Sequence, residues 1–453
     1  MLPMPGPHPG RSAAVTTLLH RRKGRVDLDG AAMARLAPKN RWLAHDLVLG
    51  VRRRLFLIDA VLRRFLDRQL KSVAPPVLEA LRCGVYDLLF NDRTPSAMIV
   101  SETVELAGRS RPLRGLVNAV LRNVAGGFEV ETGDPAGEAL DRHRVWLSGD
   151  RYARFEKAVL PDPKVDVVKH LSTMHSLTEL FVGAFRTALP DEAEALFRAC
   201  SARRSLAVRP RVGTSMDALR QAVEADGGTW LDVKGMVAEI HVEGAIGELV
   251  PLRDGLAVVQ DLVAAEVAPF VAPEPGERVL DVCAPPGGKT VHLAELMHGE
   301  GEIVAAYPGA SRIGRLQENV ARLGLEDFVT LHDLGDGGDL WPDGTFDRVL
   351  VDAPCSNSGV LMKRVDARYR IQADELTRLQ DLQLGLLTAA ADRVREGGVL
   401  VHSTCSILPG ENQGLVHRFL DDRSDFTLDE ECLRYPHQTA RDGGYVARLR
   451  RRS

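Results

Sequence analysis

Apolar residues recur at helical spacing through the first 128 residues. Leu78, Leu81, Val85 and Leu88 follow an i, i+3, i+7, i+10 rhythm behind Pro75-Pro76, and apolar runs from Ala97 to Ala107 and Pro112 to Val124 predict two further helices. Strand-like alternation is missing, so residues 1–128 predict an all-α domain. Residues 129–150 contain Gly, Asp and Glu with weak periodicity and read as a linker. Residues 151–272 mix helical stretches (Ser176 to Arg186, Met216 to Ala225) with strand-like ones (Ser205 to Arg209, Met236 to Val242), which predicts a small α+β domain. In residues 273–453 the texture becomes alternating short β runs and helices. Arg278 to Cys283, Gly301 to Ala306, Phe328 to Leu331, Phe346 to Asp352 and Gly398 to His402 read as strands, and His292 to Met297 as a helix. A long amphipathic helix carries Leu376, Leu379, Leu382, Leu386 and Ala390 on one face and is read as closing at Gly397-Gly398. Strands alternating with helices predict a doubly wound, mostly parallel sheet.

A chain of 453 residues is too long for one compact domain. Its net charge of −4 suggests no nucleic-acid partner, but the distribution changes that picture. Residues 1–130 hold 21 Lys/Arg against 11 Asp/Glu, a surplus of 10 positive charges, while the remainder holds 37 against 51. A basic module on an acidic body fits an electrostatic RNA handle, and equally a solvated basic surface. The segment Met1 to Arg25 is Pro-rich and then basic, with an apolar run too short for a signal peptide, and no stretch is apolar enough for a membrane helix. Six cysteines (Cys83, Cys200, Cys283, Cys355, Cys405, Cys432) form no CxxC pair. That argues against a zinc site or disulfide framework, and for a reducing, cytoplasmic setting with no metal.

The most informative segment runs from Val279 to Thr290, where a strand leads through Cys283, Ala284, Pro285, Pro286, Gly287, Gly288 and Lys289 into a helix. In open α/β sheets ligands sit at the carboxyl ends of strands, and glycines let the backbone approach a nucleotide-like ligand. Gly-Gly-Lys-Thr invites a P-loop reading, but Cys283 occupies the position where that loop requires Gly, and no GxGxxG is present. The turn type used for S-adenosyl-L-methionine remains. Two further strands deliver Asp352-Ala-Pro-Cys355-Ser356 and His402-Ser-Thr-Cys405-Ser406 to the same edge. One buried cysteine is usually an inert core residue. Two at the ends of two strands, beside a cofactor turn, point to chemistry. Carbon 5 of cytosine is a poor nucleophile; a thiolate adding to carbon 6 makes it enamine-like and able to take a methyl group from a sulfonium. An acid near ring nitrogen 3 stabilises the adduct. The base must leave its stack to reach such a site.

These motifs carry a resemblance to the RsmB (Sun, Fmu) family of bacterial 16S rRNA cytosine-5 methyltransferases, within the wider RsmB/NOP group. Leu81 to Phe90 and Gly115 to Arg122 resemble the NusB-like RNA-binding domain of that family, and Gly255 to Asp261, ending in Gln260-Asp261, its pre-catalytic segment. The Pro-Gly-Gly-Lys, Asp-Ala-Pro-Cys-Ser and Ser-Thr-Cys-Ser elements match its methyltransferase core in order and spacing. The resemblance implies a NusB-like helical domain, a small α+β domain and a Rossmann-like S-adenosyl-L-methionine-dependent methyltransferase domain. It implies Cys405 as the nucleophile, Cys355 as the cysteine assisting release, Asp352 against the target cytosine, Lys289 reaching towards cofactor and base, and Asp333 near the adenine. The implied partner is 16S rRNA, naked or within a small-subunit assembly intermediate, met by a monomer.

Three positions depart from the family pattern. Tyr307-Pro308 stands where an acidic residue binds the ribose hydroxyls, Asn357 follows Ser356 where Gly is usual, and Arg364-Val365-Asp366 replaces Asn-Pro-Asp. Tyr cannot accept a bidentate pair of hydrogen bonds as a carboxylate does. Tyr307 therefore supports one alternative, a non-catalytic RNA-binding protein on a methyltransferase shell.

Overall fold

The computed structural model describes residues 7–20, 28, 30–133, 140–242, 246–309, 313–335 and 340–453. The basic run from Arg21 to Arg25 lies outside them. The chain forms two compact units, residues 1–202 with 364–370, and residues 203–363 with 371–453.

In the first unit, helices Pro9–Leu19, Pro38–Arg53, Leu55–Phe65, Pro75–Phe90, Ser96–Glu105 and Arg111–Ala125 build the expected all-α region. Four of them begin with Pro at the first or second position, where its missing N–H costs no helical bond. Helix Pro75–Phe90 is buried on most of its surface, with Val77, Ala80, Leu81, Cys83, Val85 and Leu89 in the core. The stretch read as a linker is different. Phe128–Thr132 and Arg144–Ser148 flank Arg151–Phe155 in a three-stranded antiparallel sheet. Trp146 and Tyr152 pair on one face and Phe155 lies with Phe128 on the other. Trp146, Tyr152 and Phe155 are all buried, and short strands with apolar residues on both faces concealed the alternation. Helices Val167–His175, Glu179–Ala188 and Ala193–Ser201 follow and belong to the same unit, so the stretch 151–272 is divided at Ala202.

The catalytic-core segment 364–370 is also folded into this unit. Arg368 is fully buried and donates to the carbonyls of Arg53 (2.7 Å), His175 (3.1 Å) and Cys200 (2.7 Å), while Arg52 pairs with Asp366 at 2.6 Å. Asp366, in the Arg364-Val365-Asp366 that replaces Asn-Pro-Asp, is thus held by an ion pair inside this unit.

The second unit starts with a four-stranded antiparallel sheet, in the order Thr229–Lys234, Val237–His241, Leu206–Pro210, Ala257–Val259. The seven-stranded sheet follows: β1 (Arg278–Val282), β2 (Glu302–Tyr307), β3 (Val329–Asp333), β4 (Phe346–Asp352), β5 (Val394–Thr404), β6 (Phe426–Arg434) and β7 (Gly444–Arg451). Its order is β3-β2-β1-β4-β5-β7-β6, with β1 to β5 parallel and β7 antiparallel to both β5 and β6. Strand order reverses between β1 and β4, the crevice where such sheets bind ligands. Val267, Val291, Leu316 and Val320 cover one face; Leu387, Ala390, Leu415 and Phe419 cover the other.

Two local readings need correction. The long helix, Ala373–Ala391, buries Leu379, Gln383, Leu387 and Ala390, while Leu382 is 42% exposed. A polar residue in the buried stripe misled the apolar count; Gln383 is there because its amide is used by the site. That helix also stops at Ala391, and Gly397-Gly398 lie inside β5, where its register against β4 shifts.

Candidate active site

The turn after β1 is built from backbone. Cys283 has a positive φ of 64°, the Pro285-Pro286 bond is cis, and Gly287 (φ 95°) caps helix Gly288–Leu296. A Cβ on Gly287 would lie 2.6 Å from Leu316 Cδ1, so packing as well as φ demands glycine there. Burial pushes the Cys283 thiol up to about 12, helped by Asp352 and Asp281, so this cysteine supplies turn geometry and no thiolate. The first turn of the helix leaves backbone N–H groups free to meet a ligand.

One side-chain pair sits beneath the turn. Thr290 Oγ1 donates to Asp281 Oδ2 at 2.6 Å, and burial pushes the Asp281 carboxyl up to about 7. Its Oδ1 is buried with no hydrogen-bond partner among the described residues. Two further acids stand around the turn, Asp352, half-buried and paired with Lys289, and Asp333, exposed. Asp333 follows Tyr307 across the β2–β3 register and accepts from Gly309 N (3.2 Å) and Gly335 N (2.9 Å). An orphaned buried carboxylate oxygen, flanking acids and a helix N-terminus fit a cofactor that carries a sulfonium, an ammonium and a carboxylate. Tyr307 is only 8% exposed, and burial together with Asp333 pushes its phenol up.

Asp352 and both cysteines come to the same edge. β4 and β5 pair in parallel with Asp352 opposite Ser403, so the loops carrying Cys355 and Cys405 leave the sheet side by side. Their sulfurs are 3.2 Å apart. Cys355 is buried and Cys405 partly exposed. The hydrogen bond to Cys405, reinforced by burial, holds the Cys355 thiol well above its ordinary range. Lys289 Nζ pairs with Asp352 Oδ2 at 2.7 Å, while Ser403 Oγ donates to Oδ1 at 3.3 Å. Burial works against the Lys289 charge, but Asp352 outweighs it and, with Cys405 also in electrostatic range, holds the ammonium above its ordinary value. Cys405 is therefore the more accessible thiol, and it has a cation beside it.

Asn357 explains its own departure. It sits at φ 60°, a left-handed conformation that Asn tolerates best after Gly. Its Nδ2 donates to Cys355 O at 2.8 Å, and its Oδ1 lies 3.5 Å from Cys405 Sγ. Gly359 N donates to Cys405 O at 3.0 Å, and Gly443 N to Gly359 O at 2.8 Å. A Cβ on Gly359 would run into the Gly443 carbonyl, so the close approach requires glycine.

Four polar residues of the site escaped the sequence reading: Asp281, Gln383, Glu411 and Asn412. All are fully buried. Asp281 carried a usable signal, an acid inside an apolar strand. Glu411 and Asn412 sit on an ordinary-looking Pro-Gly-Glu-Asn turn and gave none.

Residues 268–450 match the 16S rRNA methyltransferase RsmB/F family, and residues 11–126 match the NusB family. The chain is 30% identical over 431 residues to the ribosomal RNA small subunit methyltransferase B of Sodalis glossinidius, covering 92% of this chain and 91% of that protein. With the enzyme of the same name from Vibrio cholerae the identity is 29% over 439 residues, with the same coverage. Among solved structures, PH0851 superposes with a TM-score of 0.74 at 22% identity over 98% of this chain and 99% of that one, a likeness of fold. With the family's core elements in order along one sheet edge and the full-length identity to its members, the chain belongs to the RsmB/F family and is an S-adenosyl-L-methionine-dependent RNA cytosine-5 methyltransferase with a NusB-family N-terminal region.

Proposed function

We propose that the substrate is 16S rRNA and that the reaction runs through a covalent adduct between Cys405 and carbon 6 of the target cytosine. The observation carrying this reading is the thiol pair, two cysteines 3.2 Å apart with only Cys405 reachable from solvent. Lys289, ion-paired with Asp352, lies in electrostatic range of Cys405. Addition of that thiolate to carbon 6 places electron density on carbon 5. Asp352, held by Lys289 and Ser403, contacts the polar edge of the base and stabilises the adduct. When bound, S-adenosyl-L-methionine supplies the electrophilic methyl group. The residues of the turn from Cys283 to Lys289, with Tyr307, Asp333 and Asp352, would hold it. The carbon 5 proton then passes to water, its bonding pair re-forms the carbon 5–carbon 6 double bond, and the carbon–sulfur pair returns to Cys405 as a thiolate. Cys355, neutral and hydrogen-bonded to Cys405, assists that release. The basic NusB-family region supplies affinity for RNA phosphates.

Methyl transfer from labelled S-adenosyl-L-methionine to unmethylated 16S rRNA, mapped by nucleotide, tests the substrate. One 5-methylcytosine is expected; transfer confined to other RNAs would refute the assignment. Cys355→Ala is expected to accumulate enzyme–RNA adduct, seen as a shifted band on a denaturing gel. Normal turnover without that band would remove Cys355 from the release step.

A further inference from the structure

Glu411 belongs to neither cysteine motif, yet it touches both cysteine loops. It lies on the turn after β5, fully buried, with no route to a substrate. Its Oε1 accepts from Ser356 N (2.8 Å) and Gln383 Nε2 (2.9 Å). Its Oε2 accepts from the Ser356 hydroxyl and from Ser406 Oγ (2.6 Å). Ser356 follows Cys355 and Ser406 follows Cys405, so one carboxylate pins the residue after each cysteine. Gln383 extends the clamp by donating also to Pro354 O, the residue before Cys355, at 2.9 Å.

The neighbouring Asn412 makes a useful contrast. It accepts from Thr404 Oγ1 at 2.7 Å and donates to Ser406 O at 3.0 Å, bracing the Cys405 loop alone. The strand ladder aligns β4 and β5 only as far as Asp352 and Ser403. Beyond that point Gly359 N to Cys405 O (3.0 Å) and Ile407 N to Ser358 Oγ (2.9 Å) tie the loops directly, and Glu411 adds one buried carboxylate that holds the residue after each cysteine.

We propose that Glu411 is the positioning residue that fixes the separation and mutual orientation of Cys355 and Cys405. All four of its side-chain bonds use the carboxylate as acceptor, and an amide of the same size keeps them only if both serine hydroxyls turn to accept. The catalytic consequence rests on the covalent-adduct reading above. The thiol geometry does not, and it can be measured without RNA.

The test uses the full chain and a diazene oxidant, diamide, which takes two electrons and two protons from the two thiols and is itself reduced to a hydrazine. Closure of the Cys355–Cys405 disulfide is followed by peptide mass, alongside each variant's unfolding temperature. Glu411→Ala, which removes all four side-chain bonds, is expected to close at least about ten-fold more slowly and to lose kcat by a comparable factor, with the cofactor KM unchanged. Ser406→Ala, which removes one arm of the clamp and leaves Glu411 in place, is expected to slow closure by a smaller factor. Wild-type closure rates in folded Glu411→Ala, or in Ser406→Ala if the first variant does not fold, would overturn the proposal. Slowed closure in a protein whose wild type transfers no methyl group would uphold the clamp while refuting the covalent-adduct reading.

Discussion

The turn after β1 and the loops after β4 and β5 lie along one edge of one sheet, but different forces hold them. The β1 turn takes its shape from the backbone: a positive φ at Cys283 and Gly287, packing of Gly287 on Leu316, and a helix start at Gly288. The cysteine loops take theirs from buried side chains: Gln383 donates to Glu411, and Glu411, Gln383 and Asn412 each bind loop backbone. The contrast follows the chemistry. On the proposed reading, a cofactor common to many enzymes needs only main-chain amides and a turn, whereas two thiols acting in sequence on one ring need a fixed separation, which bonds between the two loops set.

The largest effect is expected where the comparison is sharpest. Cys405→Ala should lower methyl transfer by at least about 10⁴-fold, since the covalent route has no substitute nucleophile at that position. Cofactor affinity, measured by calorimetry, should stay within about two-fold of wild type. A large loss of affinity would show that the turn and the thiol loops are not separable parts. Residual transfer within ten-fold of wild type would remove Cys405 from the nucleophile's role.

Much of the backbone-built half was legible in the sequence, and for a physical reason. Strand, turn and helix write themselves as apolar runs, Pro and Gly, so β1, its turn and the edge positions of Asp352, Cys355 and Cys405 could be placed from residue types alone. The side-chain half was legible only in its reacting groups. Gln383 reads as a polar interruption of an apolar helix face, and its burial is explained only once Pro354 and Glu411 are known to lie opposite it. The sheet formed by Phe128–Thr132, Arg144–Ser148 and Arg151–Phe155 was missed for a related reason, since five-residue strands with one or two aromatics each leave too little alternation to count. Arg368 shows the same limit. Nothing in its neighbourhood along the chain reports the carbonyls of Arg53, His175 and Cys200 that it binds.

A smaller effect is expected at Tyr307, where the cofactor half departs from its family. A carboxylate at that position can accept two hydrogen bonds from a ribose, which the phenol cannot. The gain is offset, because the new charge would sit in a buried position beside Asp333, whose carboxylate already pushes the Tyr307 phenol up. Tyr307→Asp is therefore expected to tighten S-adenosyl-L-methionine binding by about three- to ten-fold, read by calorimetry, with diamide closure of the two cysteines unchanged. Unchanged affinity would mean that the ribose is held by other groups.

The smallest effect, read on stability without cofactor, concerns a buried polar pair of the backbone-built half, Asp281 with Thr290. Asp281 has an ordinary carboxyl value of 3.8, and burial raises it to about 7, with Thr290 opposing the shift. Between about pH 4 and pH 7 the folded protein thus holds a proton that the unfolded chain has lost. Stability from this group is full below pH 4, falls as pH rises through 7, and above that leaves an ionised carboxylate whose Oδ1 has no partner. Asp281→Asn keeps an acceptor for Thr290 Oγ1 and removes the ionisation. Without cofactor, the variant is expected to melt about 5 °C or more above wild type at pH 8 and close to it at pH 4.5, as measured by calorimetry. Parallel melting curves across that range would mean that Asp281 is ionised in the folded protein, with water or a cation satisfying the oxygen that no described residue reaches.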